Sequence, residues 1–163
     1  MTHHEYSEMV ERLAGLLLAR EIMVTVAESC TGGGIAQAMT NTPGSSQWFE
    51  RGFVSYSDDS KKELLSVSED TLVTFGAVSE QTAGEMAAGA LDNSHAQVSV
   101  AVTGIAGPDG GTNEKPVGLV CFGWSIKNEP TKTARMVFQG NRYTIQQQSI
   151  RMAIQGLLGL VES

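Results

Sequence analysis

Hydrophobic positions along the chain follow two periods in turn, and the switches between them mark alternating helices and strands. Over residues 6–20, Met9, Leu13, Leu16 and Leu17 recur at helical spacing, and the run Ile22-Met23-Val24-Thr25-Val26 that follows is short and β-rich, as a buried strand requires. Helical spacing resumes at Ile35-Ala36-Gln37-Ala38-Met39 and ends at the loop Asn41-Thr42-Pro43-Gly44-Ser45-Ser46. A second strand over residues 52–56 runs into Ser57-Asp58-Asp59-Ser60, which reads as the cap of a helix carrying Lys61-Lys62-Glu63-Leu64-Leu65. Ala77-Val78-Ser79 caps a helix over residues 80–91, and residues 97–102 form an apolar strand. Strands over residues 118–126 and 133–138 flank the turn Lys127-Asn128-Glu129-Pro130 as a hairpin. The last helix, from Asn141, buries Ile145, Ile150, Ile154, Leu157, Leu158 and Val161. This order predicts an α/β fold: a three-layer α/β/α sandwich around a mixed, mostly parallel sheet, formed by one domain over residues 1–163.

In such sheets ligands lie beyond the carboxyl ends of the strands. Polar, glycine-rich segments stand where that rule wants them: Glu28-Ser29-Cys30-Thr31-Gly32-Gly33-Gly34 after the first strand, residues 56–61 after the second and residues 103–112 after the third. The first of these places Ser29, Cys30 and Thr31 at a helix N-terminus, where free N–H groups favour an anion or a developing oxyanion. A plain strand-to-helix connector fits the same local string equally well. The third segment has Gly104, Gly107, Gly110 and Gly111, too little side chain for a core, so its backbone N–H groups and the Thr103 hydroxyl are candidates to wrap a ligand.

Composition narrows the chemistry. A formal charge of −7 over 163 residues argues against a broad nucleic-acid footprint, which needs clustered Lys and Arg. No apolar run approaches the ~18 residues of a membrane span, and the N-terminus lacks a basic and apolar signal, so a cytoplasmic protein without a membrane partner is expected. Cys30 and Cys121 are isolated, without disulfide or zinc spacing, and no spaced ligand cluster calls for a metal or other cofactor. His3 and His4 stand at the N-terminus and His95 precedes its strand, at the end away from the glycine segments, which disfavours a histidine-based triad. A serine–lysine arrangement remains, with Ser29 as nucleophile, Lys61 as proton acceptor and Tyr56 as relay or orienting group. Two rivals stand beside it: Cys30 as a thiol nucleophile at a helix N-terminus, and Lys61 as an ordinary solvated helix lysine like Lys62.

Six motifs, in order over nearly the whole chain, carry a resemblance. Glu28-Ser29-Cys30-Thr31-Gly32-Gly33, Gly44-Ser45-Ser46, Tyr56-Ser57 with Lys61 four residues beyond Ser57, Gly76-Ala77-Val78-Ser79, the segment from Thr103 to Thr112, and Lys115-Pro116-Val117-Gly118 resemble the CinA C-terminal domain family. That family includes the competence-damage-inducible proteins and stand-alone nicotinamide mononucleotide deamidases. The resemblance implies an α/β/α fold, a homo-oligomer of two or more copies, and a pyridine nucleotide as small-molecule substrate. The implied reaction hydrolyses the carboxamide of nicotinamide mononucleotide to nicotinic acid mononucleotide and ammonia, with no cofactor. It favours Ser29 over Cys30 and Lys61 over Lys62, with Tyr56 and Thr103 assisting. Substrate contacts are expected at Glu28, Cys30, Thr31, Gly32, Gly33, Gly104, Gly107, Gly110, Gly111 and Arg142, with Glu28 read equally as a group orienting Lys61 or the carboxamide and as a carboxylate held at the helix N-terminus. The separate N-terminal domain of the longer competence proteins is not expected. One departure stands out: similar chains open the last helix with Gly-Asp-Arg and a second Arg four residues on, whereas this chain has Gly140-Asn141-Arg142 and then Gln146. A two-arginine phosphate clamp would thus be reduced to Arg142, with the Gly32 to Gly34 turn as the fallback phosphate site. Three readings follow: an active deamidase, a catalytically diverged paralogue that binds a nucleotide or a competence or DNA-repair partner, or a hydrolase of another pyridine nucleotide or small amide.

Overall fold

The computed structural model describes residues 3–163, and the side chains of His3, His4 and Glu5 lie outside the described ones. The chain runs α1 (His3–Ala19), β1 (Val24–Glu28), α2 (Gly34–Thr40), a 3-10 turn (Ser45–Gln47), β2 (Phe49–Val54), α3 (Asp58–Leu65), α4 (Glu69–Phe75), α5 (Glu80–Asp92), β3 (Val98–Gly104), β4 (Leu119–Ile126), β5 (Lys132–Val137) and α6 (Arg142–Glu162). The five strands form one sheet in the order β2-β1-β3-β4-β5. β1 pairs with β2 and β3 in parallel, and β4 pairs antiparallel with β3 and β5. Four strands therefore share a direction and β4 alone opposes them. The sheet is mostly parallel by strand direction but only half so by pairing, because β4 lies between β3 and β5 and runs against both.

Alternation along the strands sorts the two faces. Val24 and Val26 on β1, Val98, Val100 and Val102 on β3, and Val120, Phe122 and Trp124 on β4 point into one core with α1, α2 and α6. All six apolar α6 positions expected to be buried are buried there. The opposite face offers Ala27 and Ala101 to Met86, Ala87 and Ala90 of α5, with Leu65 and Leu72 beside them. Small residues let α5 lie close: a Cβ on Gly123 would come 2.5 Å from the Ala83 carbonyl oxygen.

Two elements differ from the expected pattern. β2 begins at Phe49 rather than residue 52, because the charged edge residues Glu50 and Arg51 hide the strand period. α4 was not expected at all. It is seven residues long, too short to show helical periodicity, and it is announced only by Ser66 in the left-handed region and by Ser68, whose hydroxyl accepts from the Thr71 N–H. No described helix is long and apolar enough to cross a membrane.

Candidate active site

Because β2, β1 and β3 are parallel, the segments that follow them leave the sheet at one edge. Ser29 extends β1 by one residue, its N–H donating to the Val102 carbonyl at 3.0 Å, and Ser55 extends β2 through its N–H to the Glu28 carbonyl at 2.8 Å. The nucleophile candidate is thereby fixed by sheet pairing on both sides of its strand. Ser57 then caps α3, accepting from the Ser60 N–H at 3.1 Å, and the first turn of that helix brings Lys61 back under the strand ends.

Lys61 is 1% exposed. Its Nζ stands 3.2 Å from the Ser29 Oγ, 3.0 Å from the Ser55 carbonyl oxygen and 3.2 Å from the Tyr56 carbonyl oxygen. Among the described residues no carboxylate pairs with it. Burial pushes its pKa below the ordinary lysine value, and the nearby Asp58 and Cys30 only partly oppose that. Lys62, one residue on, lies on the surface between Asp59 and Glu69. In its neutral form Lys61 donates its two N–H groups to the two carbonyls and turns its lone pair to the Ser29 hydroxyl, the geometry of a general base.

Cys30 lies beside this pair, buried, with its pKa pushed up to about 12, chiefly by burial. It is therefore a neutral thiol. Its neighbour in the turn, Glu28, is fully buried, and the alternation that points Val24 and Val26 toward α2 points Glu28 there as well. The Glu28 carboxylate accepts from the Thr31 hydroxyl at 2.6 Å and from the Ile35 and Ala36 N–H groups at 2.8 and 3.0 Å. This corrects two expectations. The N-terminus of α2 begins at Gly34, several residues beyond Ser29, and its donors are occupied by Glu28 rather than open to an anion. Glu28 and Thr31 brace the turn from inside instead of facing a substrate, and the Gly32 to Gly34 turn is not the open phosphate site of the fallback reading. Gly32 and Gly33 serve the turn through their positive φ angles of 59° and 101°.

A cavity of about 180 Å³ opens over the pair. Ser29, Cys30 and Lys61 line it together with Tyr56, Thr103, Gly104, Arg142, Ala77, Val78 and Ala106. Two side chains act differently from the expectation. The Tyr56 phenol meets an Arg142 guanidinium nitrogen at 3.3 Å, and its contact with Lys61 runs through the main-chain carbonyl, so the phenol is no proton relay between Lys61 and Ser29. The Thr103 hydroxyl donates to the Ala77 carbonyl at 2.8 Å and ties β3 to the turn before α5. Gly104 is glycine for space: a Cβ there would lie 2.8 Å from a Val120 methyl and 3.1 Å from the Cys30 sulfur.

The loop from Ile105 to Gly118 closes on itself, Ile105 N–H to Leu119 carbonyl at 2.9 Å and Gly118 N–H to Ile105 carbonyl at 2.8 Å. Within it Gly107 gives its carbonyl to Arg142 at 2.7 Å. Gly110 and Gly111 are exposed and do not reach the cavity wall, and Gly111 packs against Val117. Gln146 turns inward, its Nε2 donating to the Cys30 carbonyl at 3.0 Å. The first turns of α6 therefore hold three strand-end segments, through Gly107, Tyr56 and Cys30. Ala77 and Val78 lie in a motif read from sequence as a helix cap and as part of the family pattern, and their place on the cavity wall was missed.

Fold and site together define an α/β/α protein that sets a serine hydroxyl against a buried, carboxylate-free lysine at the carboxyl edge of parallel strands. The chain belongs to the CinA C-terminal domain family, whose model matches residues 6–161. It is 49% identical over 158 residues to the nicotinamide-nucleotide amidohydrolase PncC of Enterobacter agglomerans, covering 97% of this chain and 96% of that one. It is 46% identical over 157 residues to the protein of the same name from Escherichia coli strain K12, covering 96% and 95%. The crystal structure of the competence/damage inducible protein CihA from Agrobacterium tumefaciens superposes with a TM-score of 0.94 at 44% identity, covering 97% and 96%.

Proposed function

We propose that the protein is a nicotinamide-nucleotide amidohydrolase, converting nicotinamide mononucleotide to nicotinic acid mononucleotide and ammonia through a serine–lysine mechanism. The observation that carries the mechanism is the buried Lys61 amine, 3.2 Å from the Ser29 hydroxyl and oriented by two carbonyls. The full-length identity to chains named for this activity supports the substrate. Ser29 Oγ attacks the carboxamide carbon as its proton passes to Lys61 Nζ. The resulting ammonium protonates the leaving nitrogen, releasing ammonia and leaving an ester on Ser29. Water then attacks that ester, Lys61 again taking the proton and returning it to Ser29 as the carboxylate leaves. Cys30, Gly104 and Arg142 shape the pocket for the ring, and Tyr56 and Thr103 position its walls. The diverged-paralogue reading rested on Gln146, and its hydrogen bond to the Cys30 carbonyl gives that residue a place in the site.

In this reading residues 1–163 act as one CinA C-terminal-type unit in the cytoplasm, as a homo-oligomer and without nucleic acid. The net charge of −7 and the two unpaired cysteines support the last and the location. The exposed Met136 and Val137 on edge strand β5 support self-association. Purified protein incubated with nicotinamide mononucleotide is expected to release ammonia and nicotinic acid mononucleotide in equal amounts. No release at any substrate concentration overturns the reading, and light scattering of the eluting protein reads the oligomer.

A further inference from the structure

Two of the six motifs that place the chain in its family, Gly76-Ala77-Val78-Ser79 and Lys115-Pro116-Val117-Gly118, meet at a second cavity. This space, about 240 Å³, is walled by Val78 and Ser79 of one motif and Lys115 of the other, with Glu80, Cys121 and Arg135. It adjoins the reaction cavity, with Val78 common to both walls. The two lie along one row of the sheet: Thr103 is the register partner of Cys121, and Cys121 of Arg135. Two strand spacings, about 10 Å, separate Thr103 at the reaction cavity from Arg135.

The reaction cavity, about 180 Å³, falls short of the roughly 300–1,000 Å³ of sites that enclose drug-sized ligands. With the carboxamide at Ser29, the ribose and phosphate extend past its rim. Arg142 shares the ring's cavity and already donates to the Gly107 carbonyl and the Tyr56 hydroxyl. In the second cavity Arg135 has no ion pair among the described residues. Lys115 is held in place by one bond to the Phe75 carbonyl at 2.5 Å, leaving two N–H donors. Glu80, steadied by the Thr133 hydroxyl at 3.0 Å, supplies the carboxylate that hydroxyl groups of a sugar seek. Two cations and one carboxylate in a single space match a ribose 5-phosphate.

We infer that this second cavity is the ribose-phosphate subsite of the pyridine mononucleotide, with Lys115 and Arg135 on the phosphate and Glu80 on the ribose. The inference rests on the amidohydrolase reading and adds where the charged end of the substrate goes. Arg135 is exposed, so Arg135→Gln leaves the fold intact, and light scattering verifies that the variant keeps the wild-type oligomer. The measurement is the ratio of kcat/KM for nicotinamide mononucleotide to that for nicotinamide riboside, which lacks the phosphate. Arg135→Gln is expected to narrow that ratio about tenfold, chiefly through KM for the mononucleotide, and Arg135→Lys to restore part of it. Lys132→Gln, on the same strand at its other end, is expected to keep the wild-type ratio. An unchanged ratio in Arg135→Gln, or a ratio that collapses in Arg142→Ala alone, overturns the subsite. A wild-type protein that releases no ammonia fails the amidohydrolase reading instead. Calorimetric titration with ribose 5-phosphate then tests the cavity by itself: binding that Arg135→Gln abolishes supports it, and no binding to the wild type overturns it.

Discussion

Desolvation without a carboxylate partner holds the Lys61 amine toward its neutral form, and this sets both activity and stability against pH. The general base must be neutral, so kcat/KM is expected to rise with pH and level off above the lowered Lys61 pKa, short of 10.5. The linkage to folding has a fixed sign. Below the folded pKa both folded and unfolded chains hold the proton and the burial penalty is fully present. Between the folded value and the ordinary 10.5 only the unfolded chain holds it, so stability rises with pH across that window, by at most about 1.4 kcal/mol per unit. Urea melts of wild type and Lys61→Met across that window check the sign, since the slope contributed by Lys61 disappears in the variant. Lys61→Ala is expected to lose nearly all turnover with the fold kept, and Lys62→Ala to remain near wild type, because Lys62 only pairs on the surface. Ser29→Ala is expected to abolish deamidation while Cys30→Ala largely spares it, the thiol being buried and protonated. Equal losses within either pair would contradict the assignments.

At the scale of elements, α2 and α6 brace the nucleophile turn from two sides. Glu28 takes two N–H groups of α2 and the Thr31 hydroxyl, so Glu28→Ala leaves donors buried without a partner and is expected to cost about 2–4 kcal/mol in a urea melt. Glu28→Gln keeps acceptor capacity and is expected to recover part of that. On the other side, Gln146 holds the Cys30 carbonyl across 116 residues of chain. Gln146→Ala is expected to lower kcat several-fold with KM little changed, since it frees the peptide after the nucleophile. Gln146→Arg retains a donor for the same carbonyl and is expected to keep most of the turnover. A rise in KM alone in Gln146→Ala would place this residue on the substrate instead of the turn.

For the whole molecule, the seating of α6 on the sheet determines the site as much as the strand ends do. Trp124 on β4 donates its Nε1–H to the Ala153 carbonyl at 3.0 Å, and a Cβ on Gly156 would lie 2.1 Å from its ring. An indole locked by that bond and stacked on Phe122 cannot move aside cheaply. Gly156→Ala is expected to cost about 1–3 kcal/mol by forcing the helix outward, and to raise KM because Arg142 and Gln146 move with it. Destabilisation without any kinetic change would show that α6 is seated independently of the cavity.

Local patterns were enough to place most elements and the nucleophile turn. The two periods marked five helices and five strands, Ser57 announced α3, and the polar segments after β1, β2 and β3 were legible as one edge once the strands were taken as parallel. α4 escaped because seven residues carry too little periodicity, and β2 was read three residues short because an exposed edge strand has no buried face to alternate. The neighbours of each site residue were a different matter. That Glu28 faces α2, that the Tyr56 phenol meets Arg142 and that Gln146 reaches Cys30 are contacts between segments far apart in the chain, and nothing in the local string fixes them. Residue type and spacing determine which way a backbone turns and which face it buries, since those energies act within a few residues. Which polar groups then meet is decided by how the helices seat on the sheet, because the final position of a side chain depends on the packing of every layer around it.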